Sequence, residues 1–417
     1  MARTELPDPS VIVDRLFRAG LLTSQNIVDG HLRVSDISRR NTNFQVESEV
    51  GPSYLVKQGI GGDRVATIAG EAAVYAALQG NSSAQAGSPA HDAWQEVASF
   101  LPPYYSFDHD ANMLILGLVP DAETLAEHHT RTGKFSAQLA RSVGRALALL
   151  HTTRPHDNPA LYSALACAPY SAEPHWILSM PRPYLRRLAD ASAANIQTVK
   201  IVQRFPEFCK LLDTLKEEWL SLEDSPPTQG SEQPSNAYAP IHCDIKWNNI
   251  LVHKRPAARR SPAVKVVDWE LARLGDPCWD TGSFFGEYLT YWLLSIPVTG
   301  QEPPERFVSL ARYPVEAMRP AMRAFWTSYL RHAGLLADPA EANVRLLRSV
   351  RYAAARLLQT AYEQGQTSST LTGNIVVLLQ VAFNILQRPA EAAYTLMGIL
   401  PLQSHRHELW RATSEAG

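Results

Sequence analysis

The chain has 417 residues, 45% of them apolar and 19% charged, with a formal net charge of −2. That length allows two or three compact units with a large core. The charge gives no reason to expect nucleic acid or an anionic membrane as a partner. Four scattered cysteines (Cys167, Cys209, Cys243, Cys278) form no C-x-x-C pair and suggest no disulfide framework. The first ten residues lack the apolar core of a signal peptide. The most apolar stretch, 375–386, is short and interrupted by Gln380 and Asn384, so a buried helix is expected rather than a membrane span. These features together lead us to expect a soluble, cytoplasmic protein.

Residues 10–21 carry apolar side chains at helical spacing behind Ser10, a possible cap. The segments 31–36, 43–50 and 53–58 read as strands, with Gly51-Pro52 as a turn between the last two. A helix is expected over 64–78, then a Gly/Ser/Ala-rich loop over 80–90, then two strands within 99–108 and 111–119. Beyond Pro120 the pattern turns helical: 135–151, 194–222, 281–295, 314–335, 340–364 and 370–398. A Pro/Ser/Gln-rich loop interrupts it at 223–239. The expected organisation is a helical extension (1–29), a small β lobe with one helix (30–120) and a large helical lobe (121–417). The fold class is α+β, and a cleft is expected between the two lobes.

The most informative segment is His242-Cys243-Asp244-Ile245-Lys246-Trp247-Asn248-Asn249, followed by Val266-Val267-Asp268-Trp269-Glu270. It supplies an Asp, an Asn five residues later and a second Asp beyond a hairpin. Phosphoryl transfer from ATP needs such a set: one carboxylate to orient a hydroxyl, and an amide and a carboxylate to hold Mg²⁺. Asp244 is the candidate base, and Asn249 and Asp268 are the candidate metal ligands. His242 is expected to hold the loop through backbone hydrogen bonds. Lys57, ending the apolar run Tyr54-Leu55-Val56, is placed to neutralise phosphate oxygens, with Glu71 on the next helix as its partner. No P-loop competes, because Gly133-Lys134 lacks the earlier glycine. His128-His129 and His405/His407 lack metal-ligand partners and are expected on the surface.

On these residues the chain resembles the aminoglycoside phosphotransferase and protein-kinase-like superfamily, over about 30–400 and most closely over 240–286. The resemblance implies a bilobal protein-kinase-like fold and ATP and Mg²⁺ as cofactors. It also implies that Asp280, in Gly275-Asp276-Pro277-Cys278-Trp279-Asp280, braces the catalytic loop by accepting backbone N–H bonds.

Two departures stand out. The turn between the first two strands reads Ser38-Arg39-Arg40-Asn41-Thr42-Asn43 and has no glycines to let backbone N–H groups approach phosphates. Arg39 and Arg40 are candidates to replace them with side chains. Lys246, two residues after Asp244, is similar to the lysine of Ser/Thr protein kinases and can reach a γ-phosphate. Residues 301–417 hold 12 arginines, no lysine and 9 acids, a poor setting for a polycationic acceptor. The HxDIKWxN and VVDWE segments are similar to a branch that phosphorylates Ser/Thr of ribosomally made precursor peptides before a partner lyase eliminates phosphate. The alternatives are a small-molecule kinase acting on an antibiotic, sugar or amino-alcohol hydroxyl, and a pseudokinase scaffold.

Overall fold

The computed structural model describes residues 8–29, 32–38, 42–80, 89–167, 173–182, 191–223, 238–254, 264–297 and 308–403. The chain divides into two compact units. The first is formed by 1–125, 154–171 and 249–273, and the second by 126–153, 172–248 and 274–417. The α+β expectation holds: one unit carries a small antiparallel sheet and the other is mainly helical.

The first unit is built on five strands: β1 (Leu32–Asp36), β2 (Thr42–Ser48), β3 (Tyr54–Gln58), β4 (Tyr104–Asp108) and β5 (Met113–Gly117), in the order β1-β2-β3-β5-β4. All neighbours are antiparallel, with Val56 opposite Phe44 on one side and Ile115 on the other. Alternation sends one set of side chains to each face. Phe44, Val46, Tyr54, Val56, Met113 and Ile115 form a core with Ile12 and Leu16 of the helix Pro9–Arg18. The N-terminal helix thus shares the sheet's core. Lys57, one residue after Val56, is sent to the opposite face, where the helix Gly62–Gln79 packs.

The stretch 30–120 holds more than the single helix expected: a second, Pro89–Ser99, lies almost wholly between the expected loop over 80–90 and the expected strand within 99–108. Three short strands, Ala122–Thr124, Ile250–His253 and Val264–Val266, form a further antiparallel set.

The second unit is built from long helices: Ala137–Thr152, Pro277–Leu294, Val315–His332, Pro339–Gly365 and Gly373–Gln387. Two expected single helices are broken. The 194–222 stretch is Ala193–Arg204 followed by Pro206–Glu223, and the end of the 370–398 stretch is a separate helix, Pro389–Thr395. Each break sits at a proline, which lacks an N–H and pushes its predecessor out of helical geometry. Phe205 is accordingly extended, with φ −112° and ψ 93°. Among the described residues no helix is long and apolar enough to cross a membrane. Residues 224–237, from the stretch expected as a loop, and residues 255–263 lie outside the described residues, as do His405 and His407.

Candidate active site

The unit boundary falls between Asn248 and Asn249, inside the most informative segment. Its two halves are therefore built up separately.

In the β unit, Lys57 extends from β3 into a buried polar cluster. Its Nζ lies 2.7 and 3.0 Å from the two carboxylate oxygens of Glu71 and 2.7 Å from Oδ1 of Asp268. Glu71 reaches it because its helix turns one apolar stripe inward, with Ile68, Ala72, Tyr75 and Leu78, and Glu71 sits within that stripe. Glu71 is fully buried and also accepts the backbone N–H of Trp269 at 3.2 Å. Burial opposes the charge on Lys57, but Glu71 and then Asp268 outweigh it and raise the ammonium's pKa, so the lysine stays protonated. Burial likewise pushes the Glu71 carboxyl up, against the lowering pull of Lys57.

Asp268 has φ +70°, a left-handed conformation uncommon for a non-glycine residue. The strand pair Ile250–His253 and Val264–Val266 sets Ile250 opposite Val266. The ladder continues one bond further, with the Val267 N–H donating to the Asn249 carbonyl at 2.9 Å. That bond brings the Asn249 and Asp268 backbones side by side. No group of three or more His, Cys, Asp or Glu among the described residues is suited to hold a metal alone. One amide and one carboxylate are nonetheless the protein share that Mg²⁺ takes when phosphates and water complete its octahedron, so the donor set fits that ion.

In the helical unit, residues 242–247 are held by groups of the helix Pro277–Leu294. Asp280, fully buried, accepts the N–H of His242 at 2.7 Å and of Cys243 at 2.9 Å. Trp279 Nε1 donates to the Cys243 carbonyl at 3.1 Å, and the Trp247 N–H donates to Glu287 Oε2 at 2.8 Å. His242 Nδ1 accepts the Asp244 N–H at 3.3 Å. Cys243 has φ +65°, so the chain turns sharply just before Asp244. Asp244 is mostly buried, and its Oδ2 lies 2.6 Å from Nζ of the half-exposed Lys246.

The clamping helix seats closely because of Gly282. A Cβ there would lie 2.5 Å from the Ser349 carbonyl oxygen of the neighbouring helix, so only glycine permits the approach.

Lys57, Glu71, Asn249 and Asp268 thus belong to one unit, and His242, Asp244, Lys246 and Asp280 to the other. Arg39 and Arg40 lie outside the described residues. The flanks of their turn are fixed: Ser38 N–H donates to Asp36 at 2.8 Å and Asn43 N–H to Ser38 Oγ at 2.9 Å.

Three residues escaped sequence reasoning: Trp279, Glu287 and His151. Glu287 follows Asp280 by seven residues, two helical turns, and so lies on the same face. A lone carboxylate in the apolar run Phe284-Phe285-Gly286-Glu287-Tyr288-Leu289 was a readable signal for a buried, partnered acid. Burial raises its pKa, opposed first by Arg356, 3.7 Å away. His151 bridges Asp280 (3.2 Å) and the Tyr329 hydroxyl (3.1 Å). A histidine ending an ordinary amphipathic helix carried no such signal.

One expectation fails. His129 is fully buried, not on the surface. Its Nδ1–H donates to the Lys134 carbonyl at 2.7 Å, and its ring packs against Trp247 (4.5 Å) and Phe135 (4.9 Å). The imidazole serves as an aromatic core residue with one satisfied polar edge.

A phosphotransferase enzyme family model matches residues 33–299, well over half of the chain. The chain belongs to that family. No curated protein matches it. Among solved structures, the phosphotransferase resembles an ethanolamine kinase from Plasmodium vivax at 14% identity. That match covers 89% of this chain and 87% of the other, with a TM-score of 0.53. It also resembles a choline kinase from Cryptosporidium parvum at 15% identity, covering 94% and 98%, with a TM-score of 0.51. At these identities the likeness is one of fold.

Proposed function

We propose that this phosphotransferase moves the γ-phosphate of ATP to an alcohol hydroxyl, with Asp244 as the base. The observation that carries the reading is the Asp244 carboxylate, held on a loop whose backbone is fixed by Trp279, Asp280 and Glu287. A fixed carboxylate can orient a hydroxyl and take its proton as the new P–O bond forms. The acceptor oxygen bonds to the γ-phosphorus, the bond to the β–γ bridging oxygen breaks, and ADP leaves with that electron pair. Lys246 would offset charge on the transferring group. Lys57, positioned by Glu71, is the candidate contact to the phosphates. Mg²⁺, held by Asn249 and Asp268, would supply further positive charge against the phosphates.

For the acceptor, we favour a Ser or Thr hydroxyl of a precursor peptide, with a separate lyase eliminating the phosphate. The support is Lys246, 2.6 Å from Asp244, together with the arginine-rich, lysine-free C-terminal third. A small-molecule hydroxyl is the second reading. It is favoured by the aromatic group beside the loop, where Trp247 lies 4.9 Å from Tyr288 and 5.0 Å from Tyr291. A pseudokinase scaffold has least support, since every charged group the chemistry needs is present.

The test is incubation with Mg-ATP and a panel of Ser/Thr peptides, amino alcohols and sugars, read by mass spectrometry for a phosphate adduct. Asp244→Asn should lose transfer by about a thousandfold or more while ATP binding persists. Full activity in that variant would remove the base assignment. An adduct confined to small molecules would remove the peptide reading.

A further inference from the structure

The helices Ala137–Thr152 and Val315–His332 pack against each other in the helical unit. Their approach is close at Gly144, where a Cβ would lie 2.4 Å from the Phe325 carbonyl oxygen. Ser328 Oγ adds a bond to the Arg141 carbonyl at 2.8 Å. Along the outer seam of this pair runs a groove of about 620 Å³ whose lining includes Arg141, Arg145, Arg323, Arg331 and His332.

The arginines fall on matching faces: Arg141 and Arg145 are four apart on one helix, and Arg323 and Arg331 eight apart on the other. The groove lining contains no carboxylate. Arg141, Arg323 and Arg331 form no ion pair with a carboxylate among the described residues. In a chain of net charge −2, this convergence of like charge on one seam is a local departure. It costs repulsion that a bound anion relieves. None of these residues belongs to the candidate active site.

We propose that this groove docks an acidic polypeptide segment in extended conformation. The dimensions fit. Arg323 and Arg331 are about 12 Å apart along their helix axis, the span of roughly four extended residues. In such a segment alternate side chains point the same way, so acids at every second position would meet the two arginine rows. Guanidinium forks suit carboxylates bidentately. Gln138 and Thr327, also in the lining, can bond a peptide backbone. The lining has no Phe, Tyr or Trp on which successive bases could stack, and a single imidazole, His332, makes no stacking platform, which disfavours single-stranded nucleic acid. The inference stands apart from the choice of phosphate acceptor.

The test is fluorescence anisotropy with a short labelled peptide of alternating Glu and Ala, against the same peptide with Gln for Glu. Wild-type protein should bind only the Glu form, more weakly as salt rises. The double variant Arg141→Glu/Arg323→Glu should bind about tenfold or more weakly, with ATP binding and melting temperature unchanged. The milder Arg331→Gln, which removes one exposed charge, should weaken binding several-fold and serves if the double variant folds poorly. Equal binding of both peptides, undiminished binding by the variants, or stronger arginine-dependent binding of an oligothymidine or of phosphatidylserine vesicles would each overturn the proposal.

Discussion

Asp280→Asn tests whether the 242–247 loop is held as the hydrogen bonds indicate. The carboxylate spends both oxygens on the loop: Oδ2 on the His242 N–H and on His151, and Oδ1 on the Cys243 N–H. Asparagine keeps one acceptor and sets an NH₂ against the other backbone N–H. One charge-assisted bond is lost, and a buried donor is left without a partner. Each loss is worth about 1–3 kcal/mol, and the two overlap, so about 3 kcal/mol of destabilisation is expected. A unit of this size shifts its melting temperature by about 2–4 °C per kcal/mol, which gives a fall of roughly 6–12 °C. Catalysis should suffer separately. The loop between His242 and Asp244 loses its fixed geometry, so kcat should drop while KM for ATP stays near wild type, because Lys57, Glu71 and Asp268 are untouched. Differential scanning calorimetry and steady-state kinetics on the same preparation measure both. A variant melting within about 2 °C of wild type with unchanged kcat would show that the carboxylate does not hold the loop.

Two further expectations follow from buried ionisable groups. Glu71→Gln removes one of the two anions on Lys57 and leaves Asp268 as its only carboxylate partner in the cluster. KM for ATP should rise about tenfold, with a modest loss of thermal stability, and unchanged ATP kinetics would exclude Glu71 as the positioning residue for Lys57. Burial holds His129 down at about 4 against its ordinary 6.5. Its folded-state pKa is depressed, so the unfolded chain binds the proton first and stability falls as the pH drops from 6.5 towards 4. The full effect is about 3 kcal/mol. Wild-type protein should therefore lose stability on acidification more steeply than His129→Gln, which does not titrate there. Parallel melting curves across that range would refute the assignment.

How much of this was legible in the sequence depended on whether each feature is local. The strands of the small unit were readable because alternation is a property of adjacent residues, and β1, β2 and β3 fall within two residues of the expected limits. The helices at Pro206 and Pro389 were joined in error because apolar spacing continues across the break, while the proline that ends the helix occupies a single position. The Lys57–Glu71 pair was readable from a strand followed by a helix, 14 residues apart. The approach of Asp268 to Lys57, across 211 residues, was not readable from the sequence, because no local pattern links the two. Glu287 did leave a local mark, a single carboxylate in an apolar run, whereas the burial of His151 and His129 depends on partners from distant elements, which no local pattern records.

The Lys57–Glu71–Asp268 cluster of one unit and the 242–247 loop of the other are held by different physics, and their variants should fail differently. The Lys57–Glu71–Asp268 cluster is electrostatic: the buried Lys57 ammonium lies 2.7 Å from a carboxylate oxygen of each acid, and the pKa of both Lys57 and Glu71 is raised there. Removing a member should change affinity for an anionic ligand and the pH response together. The 242–247 loop is held chiefly by hydrogen bonds from one helix to backbone atoms, and it carries Asp244 wherever that backbone goes. Removing a clamp should change rate and stability and leave the affinity for nucleotide alone. On the proposed reading, Arg39→Ala and Arg40→Ala should raise KM for ATP and leave kcat alone, whereas Lys246→Ala, on the clamped loop, should lower kcat and leave KM for ATP near wild type.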